Sequence, residues 1–221
     1  VNYCKRTIAH NSLLILDPGE KFGVTRGTTL VNDGGQRLPN NWREAATLAI
    51  LTGNPEYRTG TVLAHDFGPD ARRPDYTYLA GDITAAYSAK VKHVGRSFVF
   101  LNLGGAVPAA MVVFDDVVAA NPAFRKTWLL HSMEEPVLKG RTATVAAGGG
   151  RLTHTVLLPE AAEVAKIGGP GREFMAGGTN FPNRPTRGRP EDFEIGAWRV
   201  EVSPKAASAR VADVVTREWG T

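Results

Sequence analysis

His10 and Asn11 stand directly before the aliphatic run LLIL at residues 13–16. An imidazole at the end of a strand can hold a zinc ion, and it can equally well make a hydrogen bond to a nearby carbonyl group. A zinc site needs several ligands, and the five histidines of the chain are scattered without the close spacing of a metal motif. The residues alone therefore favour a structural role for His10 and leave a metal-binding role open.

Two adjacent carboxylates, Asp115 and Asp116, could do acid–base work as a pair. They follow the apolar run AAMVVF and precede VVAANP. Aspartates that end an apolar strand are also typical of a turn. We therefore expect a turn at this position and keep the acid–base role as the alternative.

Basic side chains, which give the chain a net charge of +4, form three small groups that could contact an anionic partner. The planar group of arginine suits sulfate, carboxylate and phosphate alike. The groups are Lys90, Lys92, His93 and Arg96; Arg125 and Lys126; and Arg184, Arg187 and Arg189. Aromatic residues do not interleave with them at base-stacking spacing, which favours a sulfated or uronate-rich polymer over nucleic acid. For each group, a solvated surface is the favoured interpretation.

Composition and missing motifs exclude several classes of protein. Hydrophobic residues make up 43% and charged residues 22% of the 221 residues, which is typical of a folded globular chain. No apolar run approaches the roughly 20 residues that cross a bilayer, so we expect no membrane partner. Cys4 is the only cysteine, which excludes an intrachain disulfide, and we expect it to be a small apolar filler. The nucleotide-binding glycine motifs, GxSxG and HExxH are absent.

Short apolar stretches recur along the chain and are separated by Gly, Pro, Asn and Asp. This rhythm is typical of an antiparallel sheet, and 24 Gly and 14 Pro supply the turns. Two such sheets bury each other's apolar faces, so the sequence predicts an all-β fold, a large antiparallel β-sandwich with few short helices. The predicted strands are 13–16, 61–67, 77–82, 97–103, 109–118, 127–132, 143–147, 152–159 and 197–203.

Alternation within two of these strands predicts which faces are buried. RSFVFLNL at 96–103 is largely apolar on both faces and is expected to be central in its sheet. AWRVEV at 197–202 places Arg199 and Glu201 opposite three apolar side chains. We therefore expect that strand to face solvent on one side.

Several segments do not fit the strand pattern. Residues 41–51 carry apolar side chains at helical spacing after an asparagine that could cap a helix, so we expect a short surface helix there. The C-terminal run VADVV fits a helix or a strand, and both stay open. Residues 168–189 are rich in Gly and Pro and are predicted to form a long loop. GGG at 148–150 is expected to be the tip of a hairpin.

Several longer phrases, taken together and in order, are more specific than any single motif. They are KRTIAHNSLLILDP, DGGQRLPN, GDITAAYSAKVKHVGRSFVFLNL, VPAAMVVFDDVVAANPAFRKTWLLHS and WRVEVSPKAA, and they extend from about Lys5 to about Ala207. This part of the chain resembles the central β-sandwich of the heparinase II/III-like polysaccharide lyases. The resemblance implies that residues 1–221 form a single sandwich domain of a longer lyase, with a helical toroid before it and a smaller β domain after it.

The resemblance also implies a metal site and a substrate surface. In the family, a histidine that matches His10 binds a structural zinc ion, and the other ligands, a histidine and an aspartate, would lie outside this chain. The family's catalytic tyrosine and histidine would also lie outside it, so no catalytic residue is assigned here. Lys5 and Arg6, close to the zinc strand, are the basic residues expected nearest to the substrate.

The activity implied by the resemblance is cleavage of heparin or heparan sulfate by β-elimination at uronic acid. Such an enzyme would work in the bacterial periplasm or be secreted, and its partner would be an acidic polysaccharide. The oligomeric state stays open, with a homodimer among the candidates. Two alternatives remain: a glycan-binding or scaffold sandwich without chemistry of its own, and a lyase for another uronate polymer. This chain by itself is expected to be inactive.

Overall fold

The computed structural model describes residues 2–25, 27–38, 45–182, 197–204 and 208–219. The strands in these ranges are β1 (Leu13–Leu16), β2 (Val24–Thr25), β3 (Thr28–Thr29), β4 (Thr61–Gly68), β5 (Tyr76–Asp82), β6 (Val91–Asn102), β7 (Ala109–Ala119), β8 (Arg125–Ser132), β9 (Val137–Lys139), β10 (Thr142–Ala147), β11 (Gly150–Leu158), β12 (Glu163–Gly168), β13 (Met175–Ala176), β14 (Thr179–Asn180), β15 (Trp198–Ser203) and β16 (Ser208–Trp219). The same ranges contain one short α-helix, α1 (Leu48–Gly53), and 3-10 turns at Thr7–Ala9, Pro55–Tyr57 and Thr84–Ala86. No helix within them is long and apolar enough to span a bilayer.

Two large antiparallel sheets form the predicted sandwich. The larger sheet has the strand order β4-β5-β6-β7-β16-β11-β10-β9, and the smaller has the order β1-β8-β15-β12. Two short hairpins, β2-β3 and β13-β14, lie outside these sheets. The prediction of an all-β sandwich with few short helices is confirmed, and each predicted strand overlaps an observed one.

Apolar side chains from both sheets meet in one core between them. Along β7, every second residue from Val113 to Ala119 is buried, as expected for an alternating strand with one covered face. Strands β1, β8 and β15 supply the opposite side of the core. Its buried members are Leu13, Ile15, Ala86, Tyr87, Val91, Val94, Val117, Ala119, Trp128, Leu130, Ala143, Val156, Val200, Val202 and Val211.

Two pairs of ionisable side chains lie on the core side of the larger sheet. Arg96 of β6 donates to both carboxylate oxygens of Asp115 of β7, at 2.6 and 3.0 Å. His154 of β11 has its Nε2 atom 3.0 Å from Oδ1 of Asp213 of β16, and both side chains are almost completely buried. Burial raises the pKa of both carboxyl groups, while Arg96 and His154 oppose that shift. The paired side chains therefore belong to the core of the sandwich.

The expectation of a turn at Asp115 and Asp116 is wrong. Strand β7 continues through both residues to Ala119, and Asp115 stands opposite Arg96 in the neighbouring strand. The Asp115 side chain is 0% exposed, so a substrate cannot reach it. The buried ion pair allows a carboxylate to sit in the middle of an otherwise apolar strand.

The smaller sheet is covered on its other face as well. Residues 2–11 and the hairpin β13-β14 pack on that face through a second apolar cluster of Tyr3, Ile8, Leu14, Leu129, Phe174 and Ala176. Arg199 of β15 is consequently only 4% exposed. It donates to Glu201 Oε1 at 2.8 Å and to the carbonyl oxygen of Met175 at 2.8 Å. The expectation that β15 faces solvent on one side is wrong, because a second layer covers its polar face.

The local expectations were met in part. A short helix does lie on the surface, but α1 overlaps the predicted range 41–51 only at residues 48–51. Its cap is Thr47 rather than an asparagine, and the Thr47 hydroxyl accepts the Ile50 N–H at 3.2 Å. Residues 41–44, with the asparagine expected as a cap, lie outside the described residues. The run VADVV belongs to strand β16, and residues 148–150 connect β10 to β11 as expected.

Two other expectations changed. Cys4 is exposed, so the prediction of an apolar filler is wrong: the side chain lies on the outer layer that covers the smaller sheet. The predicted loop 168–189 contains the hairpin β13-β14, whose Phe174 and Ala176 pack on that sheet. Residues 183–189 of that loop lie outside the described residues.

Candidate functional site

An open cavity of about 920 Å³ brings Lys5, Arg6 and His10 onto one wall. The segment before β1 supplies this wall, and residues 36–38 and 45–51 supply most of the rest. The other lining residues are Thr7, Ser12, Gln36, Arg37, Leu38, Ala45, Ala46, Thr47, Leu48, Leu51 and Tyr57. The three residues that the sequence singled out for substrate and metal therefore lie together.

Arg6 is held in place by a buried ion pair. Its Nε and Nη2 atoms donate to the two carboxylate oxygens of Asp33, at 3.1 and 2.6 Å, and both side chains are 1% exposed. The guanidinium carbon lies 3.8 Å from the ring centre of Phe22, a cation–π contact. The Nη1 atom is buried and has no hydrogen-bond partner in the described part of the chain. Arg6 thus lines the cavity, but its charge is largely neutralised by Asp33.

A second pair, of Lys90 with Glu20, also lies close to Phe22. Lys90 Nζ is 2.6 Å from Glu20 Oε2 and also donates to the Gly34 carbonyl oxygen at 3.1 Å. The same Nζ atom is 5.3 Å from the centre of the Phe22 ring. Burial lowers the pKa of Lys90, and the contact with Glu20 partly offsets this shift. Together, the two pairs tie Glu20 and Asp33, which follow β1, to the segment before β1 and to Lys90 before β6.

The three basic groups of the sequence have different outcomes. Lys90 and Lys126 are each 2% exposed, so the expected solvated surface is wrong for these two lysines. Lys92 and Arg125 are exposed, as expected. The group at residues 184–189 lies outside the described residues.

Arg37 is a cavity residue that sequence reasoning missed. Its Nε atom donates to the Ala85 carbonyl oxygen at 2.7 Å. Nη1 donates to Glu56 Oε2 at 2.9 Å, and Nη2 donates to the Glu56 carbonyl oxygen at 2.8 Å. Arg37 also lines a neighbouring cavity of about 540 Å³ beside Phe22 and Ser88. It joins distant segments at the wall between the two cavities, and no local sequence pattern signals that role.

His10 is exposed on the cavity wall, whereas the asparagine beside it is structural. Asn11 Oδ1 accepts the backbone N–H of His131 at 2.8 Å. The Asn11 carbonyl oxygen accepts from Arg96 Nη1 at 3.3 Å. Asn11 thereby links the start of β1 to β8 and to β6. These hydrogen bonds account for the presence of an asparagine just before an aliphatic strand.

The His131 ring supports the same segment from the other side. Its pKa is lowered to about 4, chiefly by burial; the hydrogen bond to the Ile8 carbonyl oxygen opposes this shift, and the neighbouring Arg199 and His10 add to it. The Nε2 atom is 3.0 Å from the Ile8 carbonyl oxygen, so in the neutral ring Nε2 carries the proton and donates it. Nδ1 is 3.1 Å from Asn11 Oδ1, a contact that favours the protonated ring. Burial is the larger effect, and the ring is therefore neutral near pH 7.

The cavity residues alone do not make a zinc site. Within the described ranges, no group of three or more His, Cys, Asp or Glu side chains is placed to hold a metal ion. His10 offers one imidazole, and the other polar lining groups near it are hydroxyl, amide and cationic groups. Zinc prefers several nitrogen, sulfur or carboxylate ligands. We derive no chemical step through zinc.

The arrangement is suited to binding a sugar polymer. Thr7, Ser12 and Gln36 offer hydroxyl and amide groups to the cavity, and Leu51 and Tyr57 offer apolar and aromatic surface. Carbohydrate rings have polar edges and apolar faces, so a wall of both kinds can contact them. Lys5 is exposed on the same wall and adds a positive charge.

No protein-family model matches this chain, and no curated protein matches it.

Proposed function

We propose that this chain is the β-sandwich portion of a polysaccharide lyase that cleaves heparin or heparan sulfate, and that the cavity forms part of its substrate surface. The observation that carries the proposal is that Lys5 and His10, both exposed, line one open cavity. Its volume of about 920 Å³ lies in the upper part of the range of roughly 300–1,000 Å³ that is usual for ligand sites. The lysine and the histidine thus support one surface, while the buried pair of Arg6 with Asp33 holds the segment that carries them.

The proposed reaction is β-elimination at a uronic acid. A base removes the proton at C5, the electron pair forms a double bond between C4 and C5, and the bond from C4 to the linking oxygen breaks. The leaving oxygen takes up a proton, which leaves an unsaturated uronate on one product and a hydroxyl group on the other. We assign neither the base nor the acid to this chain, whose share is to bind the glycan.

The proposal also includes a metal and a location. Zinc would be structural, and His10 would be the one ligand that this chain supplies. The enzyme would work in the bacterial periplasm or outside the cell, where acidic polysaccharides are available. Both points rest on the resemblance of the phrase AHN and its surroundings to the family.

A glycan-binding sandwich without chemistry of its own is the second candidate. It is favoured because both arginines of the cavity already have a carboxylate partner within this chain. Arg6 is bonded to Asp33, and Arg37 is bonded to Glu56. The remaining wall suits hydrogen bonding and stacking with sugar rings more than it suits dense sulfation. The same cavity would also suit a lyase for another uronate polymer, because such a substrate does not require a site that binds sulfate groups.

Binding of heparin oligosaccharides to the wild-type chain and to Lys5→Ala tests the proposal. Isothermal titration should show saturable binding, and loss of a charge-assisted contact should weaken it by about tenfold. Lys139→Ala, which removes an exposed lysine from β9, is the matched control and should leave affinity unchanged. No binding, or equal losses in the two variants, contradicts the proposed surface.

Two further measurements separate the candidates. Alginate, a uronate polymer without sulfate, should bind more weakly than heparin if the substrate is heparan sulfate, and equally well if sulfation is not recognised. Ultraviolet absorbance of the unsaturated product reports elimination. We expect none from this chain alone, and product above a heat-inactivated control would show that the chain carries its own base and acid.

A further inference from the structure

Helix α1 gives the cavity an apolar wall that is open to solvent. Leu48 and Leu51 both line the cavity of about 920 Å³. They stand three positions apart in the helix and therefore share one of its faces. Yet they are 72% and 46% exposed. Covering an exposed leucine with an apolar group is favourable, so this wall offers a ligand apolar surface to bury.

The helix that carries these two leucines is held at both ends by hydrogen bonds. Thr47 caps its start through the Ile50 N–H, at 3.2 Å. At its end, the Asn54 N–H donates to the Ile50 carbonyl oxygen at 3.1 Å, and Asn54 Oδ1 accepts the Glu56 N–H at 3.0 Å. Glu56 is in turn bonded to Arg37 on the cavity wall, at 2.9 Å. The apolar face of α1 therefore has a fixed place beside the cavity.

The guanidinium groups of the cavity are already engaged within the chain. Arg6 is bonded to Asp33, and all three donor atoms of Arg37 are bonded to Glu56 or to the Ala85 carbonyl oxygen. Guanidinium groups are the side chains best suited to hold sulfate. The other basic residues that line the cavity, within the described part of the chain, are Lys5 and His10. Such a cavity suits one carboxylate better than several sulfate groups.

The proposed glycan varies at one position that an apolar wall can distinguish. Heparan sulfate alternates a uronic acid with a glucosamine, and the glucosamine nitrogen carries either an acetyl or a sulfate group. The acetyl group ends in a methyl group, which would bury apolar surface against leucine. A sulfate group at the same place would lose its water without gaining a hydrogen-bond donor. The substituent on the nitrogen is therefore the feature to which α1 can respond.

We propose that α1 selects N-acetylated glucosamine: Leu48 and Leu51 contact the methyl group of the acetyl substituent, while Lys5 contacts the carboxylate of the adjoining uronic acid. The two sugars of the repeating unit are thus recognised by two different elements, α1 and the segment before β1. This inference rests on the proposed function, because it takes heparan sulfate as the glycan.

Two oligosaccharides of equal length that differ only at the glucosamine nitrogen test the selection. One is N-acetylated throughout, the other is N-sulfated throughout, and neither carries O-sulfate. Isothermal titration of the wild-type chain should give a dissociation constant at least about fivefold lower for the N-acetylated one. Nonspecific attraction to a basic chain would give the opposite order, because the N-sulfated oligosaccharide carries more negative charge.

Two alanine variants of α1 form a matched pair for the same titration. Leu51 and Ile50 are both 46% exposed, but of the two only Leu51 lines the cavity. Leu51→Ala should weaken binding of the N-acetylated oligosaccharide about threefold, and Ile50→Ala should leave it within about 1.5-fold of wild type. The double variant Leu48→Ala with Leu51→Ala should bring the two oligosaccharides within about twofold of each other. Circular dichroism confirms that the variants fold.

The outcomes separate this inference from the proposed function. Equal binding of the two oligosaccharides by the wild-type chain, or tighter binding of the N-sulfated one, would overturn the selection and leave the glycan surface in place. Equal effects of Leu51→Ala and Ile50→Ala would overturn the contact with α1. If neither oligosaccharide binds, the inference and the proposed function both fail.

Discussion

The two sheets of this protein have similar strands but differ in how completely their faces are covered. In the smaller sheet, Leu129 faces the outer layer and Leu130 faces the core, and they are 0% and 9% exposed. In the larger sheet, Leu63 and Leu79 are 64% and 42% exposed. The residue type is the same in both places. The number of layers packed on a strand, rather than its composition, therefore decides its burial.

The layer that covers the smaller sheet also builds the candidate site. Ile8 packs on that sheet, while Lys5 and His10 of the same segment line the cavity. The buried pair of Arg6 and Asp33 ties this segment to the loop that follows β1. Substitutions that loosen the outer layer on the smaller sheet should therefore disturb the cavity wall too. Substitutions at the exposed end of the larger sheet should not.

Removal of Asp33 should have the largest effect. Asp33→Ala leaves the Arg6 charge buried without its partner, and loss of one member of a buried pair costs about 3–5 kcal/mol of unfolding free energy. Glu56→Ala, which breaks the more exposed pair with Arg37, is the control and should cost about 0–1 kcal/mol. Urea unfolding measures both. Similar losses of unfolding free energy in the two variants would show that the buried pair does not hold the outer layer on the smaller sheet.

Truncation of Leu129 should have the next largest effect. Leu129→Ala removes a fully buried side chain between the smaller sheet and its outer layer, which should cost about 2–5 kcal/mol. Leu63→Ala makes the same chemical change at an exposed site of the monomer and should stay within about 0.5 kcal/mol. A large loss in Leu63→Ala would mean that the larger sheet is covered after all.

Acid should lower the unfolding free energy by a smaller amount, because protonation of His131 weakens the outer layer on the smaller sheet. The folded-state pKa is about 4, below the ordinary value of 6.5. The stability from the neutral ring is therefore present above about pH 6.5 and is lost as the pH falls towards 4. Between pH 7 and 4.5 the wild-type chain should lose about 2 kcal/mol more unfolding free energy than His131→Gln, which does not titrate. Equal losses in both proteins would contradict this role of His131.

Much of the fold could be predicted from the sequence, because strand periodicity and turn residues are local signals. All the predicted strands overlap observed ones, and the sandwich follows from them. Strand β12 (Glu163–Gly168) was missed, since its residues EVAKIG have a weak apolar pattern next to a glycine-rich stretch. The covered face of β15 was missed for another reason. Alternation placed Arg199 on the polar side correctly, but no local pattern shows that residues distant in sequence pack over that side.

The candidate site was only partly predictable. The sequence predicts a substrate and metal surface at Lys5, Arg6 and His10, and all three line one cavity, although the Arg6 side chain is buried. The ion pair that neutralises Arg6 joins residues 27 positions apart, so spacing could not reveal it. Arg37 bonds to groups 19 and 48 positions away, which hides its role in the same way. Pairings over such separations depend on the folded chain.

Hydrogen exchange with and without a heparin oligosaccharide tests the proposed function most directly, because it compares the cavity wall with the exposed end of the larger sheet in one experiment. We predict slower amide exchange in residues 5–12 and 36–38 when the oligosaccharide is bound, with no change in β4. Protection confined to other segments, or none at saturating oligosaccharide, would contradict it.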